Sequence, residues 1–198
     1  MNVSELAMVT EQALGETAGL HDELIARLKR AEPSAVGEVY DAHHAAVRAF
    51  AKRLLGDAAS AEDLVHEVFL ALPKASHNFR AESSLRTFLI SIAVNHARHH
   101  VRAAVRRRRA ISHYGELPTA RPADPEQDAR RRELAALLTR ALDDLPIEQR
   151  VAFVLCEVEE RSSREAAAIA GVPEATVRTR LFHAKRKLRE ALETEGAR

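Results

Sequence analysis

Apolar side chains return every three or four residues through most of the chain, with polar ones between them. Val36, Val39, Tyr40, Val47, Phe50 and Leu54 form one stripe; Leu64, Val65, Val68, Phe69 and Leu72 form a second, and Leu85, Leu89, Ile92 and Ala93 a third. A later stripe runs through Leu134, Leu137, Leu138, Ala141, Leu142 and Leu145, followed by the deeper apolar run "VAFVLCEV". This spacing places each set on one face of an α-helix. No β-branched run alternates with period two, and the abundant Ala, Leu, Glu and Arg favour helix. The pattern predicts an all-α protein.

Helix breakers divide the pattern. Pro33 and Gly56 bound the first long helix, Ser60 with Asp63 reads as a cap for the second, and Pro73 marks its end. The third helix is expected to begin at Ser83 or Ser84 and to run into the cationic stretch "RHHVRAAVRRRR". Then "AISHYGELPTARPADPEQDA" holds three prolines and no apolar stripe, which reads as an extended linker. Two small helical domains follow: an N-terminal extension over 1–20, a first domain over 21–109, a linker over 110–130 and a second domain over 131–195. Since the linker is polar and each domain has its own stripe, the two are expected to pack together only weakly.

Charge layout adds more than net charge. The formal net charge of +1 hides arginines gathered before the linker and acids gathered in "AEDLVHEVF" and "PADPEQDA". On the second helix Asp63, Glu67 and Leu70 project away from the apolar stripe, an acidic face carrying one leucine. Such a face is either ordinary solvated surface or a fit for a basic partner. Cys156, the only cysteine, excludes an internal disulfide and a paired-cysteine redox or zinc site, and its apolar setting reads as a buried structural thiol. The first residues lack a basic segment followed by an apolar core, so they do not read as a signal peptide, and no apolar run approaches the roughly 20 residues of a membrane span. A cytoplasmic protein is expected.

The clearest motif lies near the C-terminal end of the sequence. Ser162 and Glu165 form a capping box, Gly171 supplies a left-handed turn, and Pro173 suits the first turn of a new helix. Helix, short glycine turn, helix is the helix-turn-helix pattern, with small Ala167 and Ala170 permitting close approach and Val172 filling the corner. In the second helix Val177, Leu181, Ala184 and Leu188 face inward, which turns Arg178, Thr179, Phe182 and Arg186 outward. Arginine can pair with a guanine edge, threonine with a base or phosphate, and phenylalanine with a thymine methyl. Lys185, Lys187 and Arg189 flank them and suit phosphates. The motif points to the major groove of DNA.

Two stretches together resemble the extracytoplasmic-function (ECF) group of sigma factors in the sigma-70 family. "AEDLVHEVFLAL" with "FRAESSLRTFLISIAVNHARHHVR" resembles that family's region 2, and "LPIEQRVAFVLCEVEERSSREAAAIAGVPEATVRTRLFHAKRKLREAL" resembles region 4. The resemblance implies that region 2 binds the β′ clamp helices of core RNA polymerase and opens the minus-10 element, while region 4 binds the β flap and reads the minus-35 element. It assigns polymerase contact to Asp63, His66, Glu67 and Leu70. It assigns the pocket for a flipped minus-10 base to Asn78, Phe79, Arg80, Ala81, Glu82 and Ser83, with Asn95, Arg98, His99 and Arg102 beside the upstream DNA. The minus-35 set becomes Glu174, Thr176, Arg178, Thr179, Phe182, His183, Lys185 and Arg186. The linker is too short for the helical region 3 of housekeeping sigma factors and would thread along the polymerase cleft. An anti-sigma factor is implied as a further partner. His66, Ala81 and Phe88 depart from the usual Gln, Gly and Trp, Pro73 interrupts a stretch that often carries Trp, and His96 stands where the family is usually apolar, so it is expected to be partly buried.

Rival readings have less behind them. His96, His99 and His100 have the spacing of a metal chelate, but no carboxylate lies nearby in sequence and arginines surround them; no metal and no cofactor are expected. Asp63 and Glu67 lack the nucleophile or phosphate loop that catalysis would add, so no enzyme is expected. A stand-alone helix-turn-helix regulator, binding duplex DNA without polymerase, is the alternative; it leaves the acidic helix and the base-pocket loop without a role.

Overall fold

The computed structural model describes residues 22–80, 83–111 and 137–196, the side chains of 98, 99, 101–111, 195 and 196 excepted. Among these residues all regular structure is helical. A short helix α1 over 22–29 leads into α2 (Pro33–Leu55), α3 (Ala58–Ser76) and α4 (Leu85–Ile111). Pro33 sits in the first turn of α2, and Gly56, in the left-handed conformation at φ 65°, closes it by donating its amide to the Lys52 carbonyl at 2.8 Å. The three long helices pack on one another through the stripes read from sequence, except that Tyr40 of α2 is exposed at the edge of its stripe. Leu64, Val65, Val68, Phe69 and Leu72 of α3 are all buried, as are Leu85, Leu89, Ile92 and Ala93 of α4.

Two boundaries differ from the sequence reading. The cap of α3 is Asp57, whose carboxylate accepts the Ser60 amide at 2.9 Å, so Ser60 is a buried helical residue rather than the cap. Asp57 caps because its carboxylate accepts an amide that the first turn of α3 would otherwise leave unpaired. Nor does Pro73 end α3, which continues to Ser76. The proline removes one amide donor, but Leu72 and Ser76 on either side are buried, and their packing carries the helix through another turn. The start of α4 agrees: the Ser84 hydroxyl oxygen accepts the Thr87 amide at 3.2 Å.

The C-terminal half comprises α5, described over 137–143, then α6 (Ile147–Phe153), a π-turn (Val154–Val158), α7 (Ser163–Ala170) and α8 (Glu174–Gly196). The expected single helix over the apolar run is thus widened at Val154, where the Glu159 amide reaches back five residues to the Val154 carbonyl. Both halves of the capping box at Ser162 and Glu165 are formed, and Gly171 takes the left-handed conformation at φ 64°. Cys156 is half-buried, less enclosed than expected.

The expectation of weak packing between domains is not met. Ile169, Val151, Val154, Leu155 and Val177 join the same apolar core as Leu54, Leu64 and Leu89, with α4 resting against α6 and α7. Arg150, 1% exposed, fastens the junction. Its guanidinium pairs with Asp143 at 3.0 Å, donates to the Leu142 carbonyl, and donates to the Leu54 carbonyl at 3.3 Å. Leu54 lies in the last turn of α2, where unpaired carbonyls and the helix dipole both favour a cation. Arg53 and Glu159 pair across the same junction at 2.6 Å.

Candidate nucleic-acid interface and partner surface

The acidic face of α3 forms as its spacing requires. Asp63 and His66 are exposed, and Leu70 is 80% exposed although its helix buries every other leucine. Glu67 has a different environment. Its Oε2 lies 3.1 Å from His96 Nδ1 and 3.0 Å from His100 Nε2, both on α4. The His100 ring first, then the His96 ring, holds the Glu67 carboxyl below the usual carboxylate range. His96 is partly buried, as its departure from the family pattern suggested. The carboxylate judged missing near the histidines therefore arrives from a neighbouring helix, although among the described residues no group of three His, Cys, Asp or Glu is arranged to hold a metal.

The minus-10 set divides. Asn78, Arg80 and Ser83 are exposed on the loop between α3 and α4, whereas Ala81 and Glu82 lie outside the described residues. Phe79 is 7% exposed and packs on Phe88 with ring centroids 4.9 Å apart, so it anchors the loop from the core side instead of lining an open pocket. The reason is apolar burial: the ring is worth more against Phe88 than in solvent. Asn95 is exposed on α4 and borders a cleft of about 130 Å³ shared with Ile147, Glu148, Val172 and Arg180 of the C-terminal half. Arg98, His99 and Arg102 are on α4, with side chains outside those described.

On α8 the two faces separate as read. Val177, Ala184 and Leu188 are buried and Leu181 is half-buried, while Arg178, Thr179, Lys185 and Arg186 are exposed and Phe182 is 63% exposed. Glu174, Thr176 and His183 are half-buried, and the His183 ring meets Phe182 edge-on at 5.6 Å. Three of the outward cations already have a carboxylate: Arg178 pairs with Glu174 at 2.5 Å, Arg186 with Glu190 at 3.6 Å and Lys185 with Glu157 at 2.8 Å. Sequence reading missed the last two acids. Glu190 was legible, lying four residues beyond Arg186. Glu157 was not, because it reaches Lys185 only through the π-turn.

Known proteins carry the same pairing of domains. Residues 39–107 match the Sigma-70 region 2 family and residues 135–188 match the Sigma-70, region 4 family. The chain is 31% identical over 167 residues to the RNA polymerase sigma factor CarQ of Myxococcus xanthus, covering 84% of this chain and 94% of that one. It is 33% identical over 158 residues to the ECF RNA polymerase sigma factor SigE of Mycolicibacterium smegmatis, covering 78% of this chain and 60% of that one. Among solved structures, the sigma factor RpoE of Bartonella quintana, determined with the anti-sigma factor NepR, is 25% identical with a TM-score of 0.54, over 79% of this chain and 96% of that one. A helical bundle followed by a helix-turn-helix half, matched in that order, is the domain pair of a sigma-70 initiation factor. The chain belongs to the ECF group of that family and is an RNA polymerase sigma factor.

Proposed function

We propose that the α3 face of Asp63, His66, Glu67 and Leu70 binds core RNA polymerase, that the loop at Asn78 to Ser83 with α4 opens the minus-10 element, and that α8 reads the minus-35 element. The observation that carries this reading is the pairing of a lone, 80% exposed leucine in an acidic face with an outward basic helix on the other domain. A leucine so exposed within an acidic face suits an apolar pocket on a basic partner surface. The chain itself does no chemistry and needs no cofactor; it acts in the cytoplasm, where polymerase and promoter are found. In this reading the buried junction at Arg150 and the cleft at Asn95 hold the two halves against each other, so engagement of two separated promoter elements requires them to part. The Bartonella quintana relative was determined with an anti-sigma factor; an anti-sigma factor of this chain would act by favouring the closed arrangement.

The test is selective damage. Reversing charge at Asp63 and Glu67 lowers affinity for core polymerase with the fold intact. Arg178→Ala or Arg186→Ala leaves core binding unchanged and weakens minus-35 discrimination by about 1 to 3 kcal/mol where the side chain is bidentate to a base. Unchanged core affinity in the first variant, or unchanged promoter preference in the second, refutes the corresponding assignment.

A further inference from the structure

His96 and His100 stand one turn apart on α4, so their rings share a face. Both reach the same oxygen of Glu67 on α3, at 3.1 and 3.0 Å. The two contacts differ in kind. His96 is half-buried and hydrogen-bonds through Nδ1, whereas His100 is 8% exposed and its buried Nε2, though close, lies off the line of a hydrogen bond. A neutral His100 leaves that nitrogen unpaired, which is costly in a low-dielectric setting, and a protonated ring converts the approach into an ion pair. Together the rings fix a carboxylate whose long side chain would otherwise sample several rotamers.

Other charges near this cluster are accounted for. On α3 itself Asp63 and His66 are exposed to solvent, and on α2 Arg48 is engaged by Glu62 at 2.5 Å. On α4, Arg98, His99 and Arg102 are neighbours in sequence, with side chains outside those described. Nothing described on α2 supplies a cation to Glu67, and its two partners are the histidines.

We infer that His96 and His100 are positioning residues for Glu67 in the contact with core polymerase, and that their protonation reverses the charge this contact presents. This rests on the reading that the α3 face binds polymerase. With both rings neutral the cluster carries one negative charge; with both protonated it carries one positive charge. A basic partner surface attracts the first and repels the second. Each proton the pair takes up removes one unit of negative charge from this face, so core affinity falls on acidification.

The experiment measures binding of the full chain to purified bacterial core polymerase at about pH 8 and about pH 6, at fixed ionic strength. The wild-type chain loses affinity by about fivefold on going to the lower pH, the size of one partly exposed ion pair. His96→Gln with His100→Gln, which keeps an amide donor beside Glu67 but does not titrate, retains the affinity at the higher pH and flattens the loss. His66→Gln, which removes the other histidine of this face, leaves the larger part of the loss in place, which separates the clamp from a histidine that only adds charge. Because His100 is buried, His96→Gln alone is measured too; its half-exposed site tolerates the change, and it removes part of the loss. An unaltered pH dependence in both glutamine variants overturns the inference even where Asp63→Lys still abolishes core binding. If Asp63→Lys and Glu67→Lys both leave core binding unchanged with the fold intact, the α3 face itself is misassigned and the inference falls with it.

Discussion

The N-terminal half closes its core with Phe50, Leu54, Leu55, Leu64, Leu72 and Leu89, all fully buried, whereas the largest fully buried side chains of the C-terminal half are Leu155 and Arg150. Alanines fill much of what remains there: Ala152, Ala166, Ala167 and Ala184. Small residues allow the helix-turn-helix to pack closely, but they remove little apolar surface from water, at about 25 cal/mol per Å². The deficit is made up across the junction, where Ile169 and Val177 join the N-terminal core and Arg150 caps the end of α2. One half is built to stand by itself, and the other to be held while it waits.

Breaking the junction separates these two descriptions most strongly. Arg150→Ala removes a fully buried guanidinium together with its bonds to Asp143 and to the Leu142 and Leu54 carbonyls, and costs about 3 to 5 kcal/mol. Urea denaturation followed by circular dichroism then shows the C-terminal half melting first, in place of one coupled transition. A single, unshifted transition contradicts the shared core. Leu64→Ala, in the middle of the N-terminal core, costs about 3 kcal/mol and lowers the stability of both halves together. Loss confined to the N-terminal half contradicts the coupling.

Smaller effects sharpen the contrast. Ser162→Ala removes the hydroxyl that accepts the Glu165 amide and costs about 1 kcal/mol, felt in α7 and so in DNA binding before global stability. Amide exchange across 163–170 reads this directly; unchanged protection there rejects it. The smallest effect is one of pH. Burial first, and Arg86 second, holds the His43 ring below the usual imidazole range. The folded state therefore binds this proton less readily than the unfolded state, whose imidazole titrates near pH 6.5. Stability from this group is complete above that value and is lost as pH falls below it. His43→Gln reduces the acid slope of the melting temperature between about pH 7 and pH 5; an identical slope removes His43 as a cause.

What sequence made legible was whatever repeats locally. The inner stripe of α3, the capping box at Ser162, the Gly171 turn and the outward set on α8 each depend on residues within a few turns, so periodicity and cap chemistry find them. The misreadings have a common physical origin in tertiary packing. Pro73 reads as a stop until the burial of Leu72 and Ser76 outweighs one missing amide. Phe79 packs on Phe88, nine residues on, a contact that the loop's sequence does not announce. The burial of Arg150, inside "LPIEQR", has no sequence signal, because one of its partners is the Leu54 carbonyl in the other half and a carbonyl leaves no trace in sequence. Glu67 and its histidines belong to the same class: His96 is 29 residues away, and only the packing of α3 on α4 joins them.

The most direct measurement is run-off transcription on a pooled promoter library with purified bacterial core polymerase, with and without the chain. Selective initiation from a subset of promoters, only when both are present, is the predicted result. Tight duplex binding by the chain alone, with no initiation when core polymerase is added, would contradict the account and leave a stand-alone regulator in its place.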